Sequence, residues 1–208
     1  MEVTTTTKTS QPFKLILGSS SLARRQIVTE MGYDFTIVTA DIDERSIRKD
    51  TPEELVMALA EAKADAILPK VPVEEYKKDL QSTLLITCDQ VVVYDGMVRE
   101  KPSSKEQAYK FLKDYSGGQA ATVGSVLVTN LSTGVKKGGV DRVEIHFHEI
   151  PDEVINSLIE EGHVLYVAGG LLIEHPLIQP CVKEVMGGTD SVMGLSKTLT
   201  ERLIKEVL

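Results

Sequence analysis

The chain has 208 residues, enough to bury a full hydrophobic core, so one domain is expected, with room for two small lobes. Its composition, 42% hydrophobic and 26% charged, is that of an ordinary globular protein, and its net charge of −8 argues against a basic surface for duplex nucleic acid. Cys88 and Cys181 lie in apolar-flanked segments without a C-x-x-C partner, which argues against a zinc or disulfide scaffold and fits a reducing, cytoplasmic setting. No apolar run reaches the roughly 18–20 residues of a membrane span, so no membrane partner is expected.

The first dozen residues are rich in hydroxyls and read as a disordered tail over 1–12, ahead of a single domain over 13–208. Phe13 to Leu17 is a short apolar run ending at Gly18 and three serines, the pattern of a buried strand entering a loop. Leu22 to Met31 carries helical spacing and stops at Gly32. Tyr33 to Thr39 alternates as a strand, and the charged stretch 41–50 reads as loop. Thr51-Pro52-Glu53-Glu54 signals a helix start, with a hydroxyl cap, a proline at the first position and acids in the first turn. That helix runs toward Pro69, and 69–82 reads as a polar loop.

Leu84 to Tyr94 predicts an apolar strand interrupted by Cys88-Asp89-Gln90, and Asp95-Gly96 turns it back through Met97-Val98-Arg99. Ser103 or Ser104 caps a helix to about Tyr115. Strands over 121–130 and 140–148 are joined by a turn near Gly134, and a helix over 151–161 stops at Gly162. After Gly169-Gly170 an irregular stretch covers 175–180, and a last helix starts near Ser196. Strands mixed with helices, with a hairpin pair breaking parallel order, give an α/β or α+β fold on a mixed sheet.

The chemistry concentrates in a few places. Ser19-Ser20-Ser21-Leu22-Ala23-Arg24-Arg25 follows a strand and opens a helix, where outward N–H groups, hydroxyls and two guanidinium forks can hold phosphate; a capped helix with two solvated arginines is the other reading. The spacing is not that of a P-loop. Asp89 lies inside an apolar strand, so it must be paired, metal-bound or protonated. Gln90 beside it can donate and accept. In Asp41-Ile42-Asp43-Glu44, alternation sets Glu44 apart from the two aspartates, and carboxylates converging with Asp89 could hold Mg²⁺. Lys63 lies among alanines on a helix, and Lys101 at a strand-to-helix corner. His146 and His148 share a strand face without a third ligand, while His163 and His175 read as loop residues. No G-x-S-x-G elbow supports a serine triad.

Together, LGSSSLARR (17–25), DIDE (41–44), ALAEAKADA (58–66), ITCDQVVVYDG (86–96), REKP (99–102), YSGG (115–118) and SVMGL (191–195) resemble the Maf family of nucleoside triphosphate pyrophosphatases in order and spacing. The resemblance implies a fold similar to inosine triphosphate pyrophosphatases: a mixed twisted sheet flanked by helices, with two lobes around a cleft, as one catalytic domain over 13–208. It implies hydrolysis of a nucleoside triphosphate to a monophosphate and pyrophosphate, with Asp89 as proton acceptor. Glu44 and Asp89 would hold Mg²⁺ or Mn²⁺, and Ser19, Arg24, Arg25, Lys63 and Lys101 the phosphates. It also admits a homodimer.

One branch that the chain resembles acts on dTTP and UTP, with Thr after the catalytic Asp and Gln in a later segment; here Gln90 and Glu174 stand in those places. A second branch acts on 7-methyl-GTP, with Gln and Glu there and an extra residue, often Trp, before the paired arginines. The extra residue here is Ala23. A carboxylate at 174 suits guanine N1–H and N2–H₂ and a cationic base, while thymine or uracil offers one donor. Missing the aromatic at 23 argues the other way. A nucleotide sensor without turnover and a division-related interaction protein are the rival readings.

Overall fold

The computed structural model describes residues 11–208. Of the expected N-terminal tail, residues 1–10 lie outside the described residues. Gln11 is tied down: its Oε1 accepts from Asp34 N at 2.8 Å, and its carbonyl accepts from Gln81 Nε2 at 2.9 Å.

The strands are β1 (Lys14–Leu17), β2 (Thr36–Ile37), β3 (Thr83–Tyr94), β4 (Met97–Arg99), β5 (Gln119–Asn130), β6 (Lys136–Phe147) and β7 (Val182–Met186). The helices are α1 (Leu22–Glu30), α2 (Pro52–Ile67), α3 (Val73–Tyr76), α4 (Lys105–Tyr115), α5 (Asp152–Glu161), α6 (Thr189–Met193) and α7 (Lys197–Val207). The seven strands form one sheet in the order β2-β1-β3-β5-β6-β7, with β4 paired to β3. β1 runs parallel to β2 and β3, and the remaining pairs are antiparallel, so the sheet is mixed as expected.

Local chemistry accounts for most boundaries. Thr51 and Glu54 close a capping box on α2, an arrangement worth about 1 kcal/mol. Ser104 caps α4 and Ser196 caps α7. Asp95 and Gly96 both take positive φ, 48° and 72°, as a two-residue type I′ turn between β3 and β4 requires.

Several expected boundaries move. The strand expected over 33–39 shrinks to Thr36–Ile37, because β1 offers only Ile16 and Leu17 as partners before the chain turns away. Glu44–Ser46 forms a 3-10 turn inside the expected loop, and 69–82 holds the short α3. β6 begins at Lys136, earlier than the apolar pattern suggested, because ladder pairing with β5 needs no apolar side chain. β7 and α6 carry no sequence signal that singled them out.

β3 organises the core. Its even residues Leu84, Ile86 and Cys88 pack with α1 and α7, while Leu85, Val91 and Val93 belong to clusters that include α2. α2 is held to the sheet by side chains bonded to its carbonyls. Thr87 Oγ1 donates to Ala60 O at 2.8 Å, and Ser125 Oγ donates to Val56 O at 2.6 Å. Val56, Ala60 and Lys63 follow i, i+4, i+7 spacing and so share one helix face, which delivers the Lys63 ammonium to β3.

Candidate active site

The register of β3 creates the site. On one edge, β1 pairs with residues up to Ile86 and β4 pairs from Val92 onward, so among the described residues Thr87 to Val91 have no strand on that side. An open strand edge presents backbone groups that need partners. Here the Cys88 carbonyl accepts from Arg24 Nη1 at 3.4 Å and Lys63 Nζ at 3.5 Å. Two cations from different helices thus converge on the gap where Asp89 and Gln90 stand.

A cleft of about 680 Å³ opens over this gap. One wall comes from residues 18–24, Glu44 and Lys63, the other from the 163–175 segment, with Asp89, Gln90 and Lys101 also lining it. Ser19, Ala23 and Glu174 are in the lining; Arg25, expected beside Arg24, is not. Arg25 Nε is instead buried without a hydrogen-bond partner. Asp43 caps the 3-10 turn by accepting from Arg45 N at 3.2 Å, which leaves Glu44 as the acid of its cluster that faces the cleft.

Gly18 makes the first turn possible. A Cβ there would meet Thr87 Cγ2 at 2.7 Å and Ile67 Cδ1 at 2.8 Å, so only a bare backbone passes between β3 and α2. The next residues start α1: Ser21 Oγ accepts from Arg24 N at 3.4 Å, and Ser19 Oγ accepts from Ser21 N at 3.2 Å. The segment is thus a capped helix start whose serines and Arg24 line a cleft, and neither arginine is simply solvated: Arg24 bonds Gly194 O and Arg25 Nε is buried.

Lys63 Nζ lies 2.5 Å from Asp89 Oδ1 and 2.8 Å from Glu44 Oε1, and Lys101 Nζ lies 3.9 Å from Glu44 Oε2. Asp89 and Lys63 are both buried, at 8% and 9% exposure, which satisfies the demand that an acid inside this strand be paired. Burial pushes the Glu44 carboxyl up, but the hydrogen bond and charge of Lys63, with Lys101 and Arg24, outweigh it and hold the group below its ordinary value. Burial likewise pulls the Lys63 ammonium down, and Asp89 and Glu44 together outweigh it, leaving the group above its ordinary value.

The donor set fits a divalent metal. Glu44 Oε1 and Asp89 Oδ1 both face one point, now taken by Lys63 Nζ, and hard oxygens completed by water and phosphate are what Mg²⁺ takes. Among the described residues no group of three or more His, Cys, Asp or Glu converges, so further ligands would come from substrate and water.

Gln90 turns to the opposite face from Asp89. Its Nε2 donates to Ser191 O at 2.7 Å, a bond that fixes the amide's orientation because a carbonyl can only accept. Glu174 is exposed in the cleft and makes no hydrogen bond or ion pair with another described residue. Leu22 of the 19–25 segment lines the cleft as well, and so do His163, Tyr166 and His175. The two histidines read as loop residues in the sequence and Tyr166 carries no signal there, since only the fold of 163–175 brings these three to the cleft. His146 is not there: it bonds Glu144 at 2.6 Å on β6.

Comparison with known proteins agrees with the motif reading. The chain is 40% identical over 96% of its length to a 7-methyl-GTP pyrophosphatase of Dictyostelium discoideum, covering 98% of that protein. It is 30% identical to a nucleoside triphosphate pyrophosphatase of Salinispora tropica, over 95% of this chain and 85% of that one. A dTTP/UTP pyrophosphatase of Clostridium acetobutylicum is 32% identical over 88% of this chain and 92% of its own. Among solved structures, the Staphylococcus aureus Ham1 protein aligns with 67% of this chain and 72% of its own at a TM-score of 0.36 and 13% identity, a likeness too slight to bear weight. The family model described as Maf-like protein matches residues 14–207, and with relatives of this coverage the chain belongs to the Maf-like protein family.

Proposed function

We propose that this chain hydrolyses a nucleoside triphosphate to the monophosphate and pyrophosphate, with 7-methyl-GTP as the favoured substrate. The observation that carries the reading is the convergence of Asp89, Glu44, Lys63, Lys101 and Arg24 on the gap in β3's edge. Attack on an anionic phosphorus needs charge neutralisation, a held water and a carboxylate to take its proton, and this cluster supplies each. Ser19, Arg24 and Lys101 bind the phosphates, and Asp89 accepts the proton of the attacking water. Arg25 lies outside the cleft lining, so no phosphate contact is assigned to it. Mg²⁺ or Mn²⁺ held by Glu44 and Asp89 would supply charge neutralisation at the phosphates.

The guanine reading rests on Glu174, a carboxylate in the cleft with no hydrogen-bond or ion-pair partner among the described residues, and on the name of the Dictyostelium relative. Its two oxygens can accept from N1–H and N2–H₂, and its charge favours a cationic base. Cys88 and Cys181 are free and buried thiols, consistent with a cytosolic enzyme. The direct test is pyrophosphate release with Mg²⁺ from 7-methyl-GTP, GTP, dTTP, UTP and ATP. Asp89→Asn should lower turnover by roughly 10²–10⁴-fold with the fold intact. Full activity in that variant would overturn the mechanism, and nucleotide binding without product would favour a sensor.

A further inference from the structure

The two carboxylates proposed to hold a metal are not idle in the chain itself. Lys63 Nζ stands between them, 2.8 Å from Glu44 Oε1 and 2.5 Å from Asp89 Oδ1, and so already neutralises the carboxylates that would hold the ion. A divalent ion drawn to those oxygens would meet the ammonium at close range, like charge against like. The charges sharpen the conflict. Glu44 and Asp89 against Lys63, Lys101 and Arg24 already leave the cluster at +1, so a divalent ion entering with Lys63 in place would raise it to +3.

Lys63 also has somewhere to go. It lines the cleft, at the end of a flexible four-carbon stem, and a triphosphate bound by Ser19 and Arg24 would put phosphate oxygens within that same cleft. We propose that Lys63 is an exchangeable counter-ion: it neutralises Glu44 and Asp89 when the cleft is empty, yields them to the metal, and turns its ammonium to the incoming phosphates. This rests on the reading of the site as a metal-assisted triphosphate site, and it makes Lys63 the group through which metal and nucleotide binding are coupled.

The test needs no turnover. Calorimetric titration of the full chain with Mn²⁺ alone should show weak binding in the wild type and at least about tenfold tighter binding in Lys63→Met, with Lys63→Arg close to wild type. Equal or weaker Mn²⁺ binding by Lys63→Met overturns the proposal. Should that variant fail to fold, the wild type alone decides through ¹⁵N-resolved spectra of its lysine ammonium groups under saturating Mg²⁺. The Lys63 signal should shift or broaden away, and a signal that stays unmoved rules the exchange out. Absence of pyrophosphate release from every nucleotide would sink the proposed activity while leaving the metal-alone result standing, so the two failures are separable.

Discussion

Arg24 Nε donates to the carbonyl of Gly194 at 2.9 Å, across 170 positions of chain. Gly194 has a φ of +122°, and a Cβ there would sit 3.1 Å from that same Nε. α6, just before it, also supplies the Ser191 carbonyl that holds Gln90 Nε2 at 2.7 Å. The SVMGL stretch therefore sets two cleft side chains at once, and it is anchored in turn by Ser191 Oγ donating to Asp141 and Lys197 N donating to Asp190 Oδ2 at 2.6 Å.

Gly194→Ala should consequently displace the Arg24 guanidinium while the rest of the fold survives. Both backbone strain at positive φ and crowding of Nε act in the same direction. Steady-state kinetics should show KM for the triphosphate raised about tenfold or more with kcat less affected, because a phosphate grip is lost before the chemical groups are. An equal fall in kcat with unchanged KM would show that Arg24 acts on the transition state instead.

Glu174→Gln keeps the side chain's size and removes its charge. A hydrogen bond to a charged group contributes about 1.5–3 kcal/mol, so kcat/KM for 7-methyl-GTP should drop by roughly 10–100-fold, with a much smaller change for dTTP. A parallel loss on both substrates would place Glu174 outside base recognition.

Stability should depend on pH at both ends of the scale. The Glu44 carboxyl lies below its ordinary value of 4.5, so its contribution is present above that value and is lost as pH falls through the lowered one. The Lys63 ammonium lies above its ordinary value of 10.5, so its contribution is full below that value and is lost only as pH rises through the raised one. Urea midpoints should be flat with respect to this pair between the two ordinary values, and Glu44→Gln should flatten the acid limb. An unchanged acid limb in that variant would assign the loss to other carboxylates.

The 163–175 wall of the cleft is braced by Tyr115. Its hydroxyl donates to Gly169 O at 2.9 Å, while Gly169 N donates to Glu100 O at 2.9 Å, joining the 168–170 turn to the strand end that carries Lys101. Arg99 lies over the rings of Tyr94, Phe111 and Tyr115 at 4.3, 4.4 and 5.2 Å and pairs with Asp114 at 2.5 Å. Burial pushes the Tyr115 phenol up to about 12, so the bond persists across neutral pH. Tyr115→Phe should cost about 1–2 kcal/mol in urea denaturation and raise hydrogen exchange over 168–175. Protection unchanged in that segment would show that the turn holds itself.

Much of the scaffold is legible in local chemistry. The cap at Thr51, the stop at Gly32, the turn at Asp95-Gly96 and the apolar run of β3 each follow from a few neighbouring residues, and the structure has them in place. β7 escapes such reading because Val182–Met186 is mostly exposed, and its strand character comes from pairing with β6 rather than from its own pattern. β2 is legible as a strand from the alternation over 33–39, but its length is decided by pairing with β1, which engages only Thr36 and Ile37.

The site divides along the same line. Sequence alone determines that Asp89 needs a partner, because a carboxylate inside an apolar strand cannot stay charged and alone. It also determines that 19–25 opens a helix with donors to spare. Only the tertiary structure decides that the partner is Lys63, that Arg24 rather than Arg25 lines the cleft, and that His163, Tyr166 and His175 border the same space. Those outcomes depend on where β1 stops and β4 begins along β3, and on the turn of α2 that faces the gap. Pairing register and helix orientation are set by the whole core at once, not by any window of neighbouring residues.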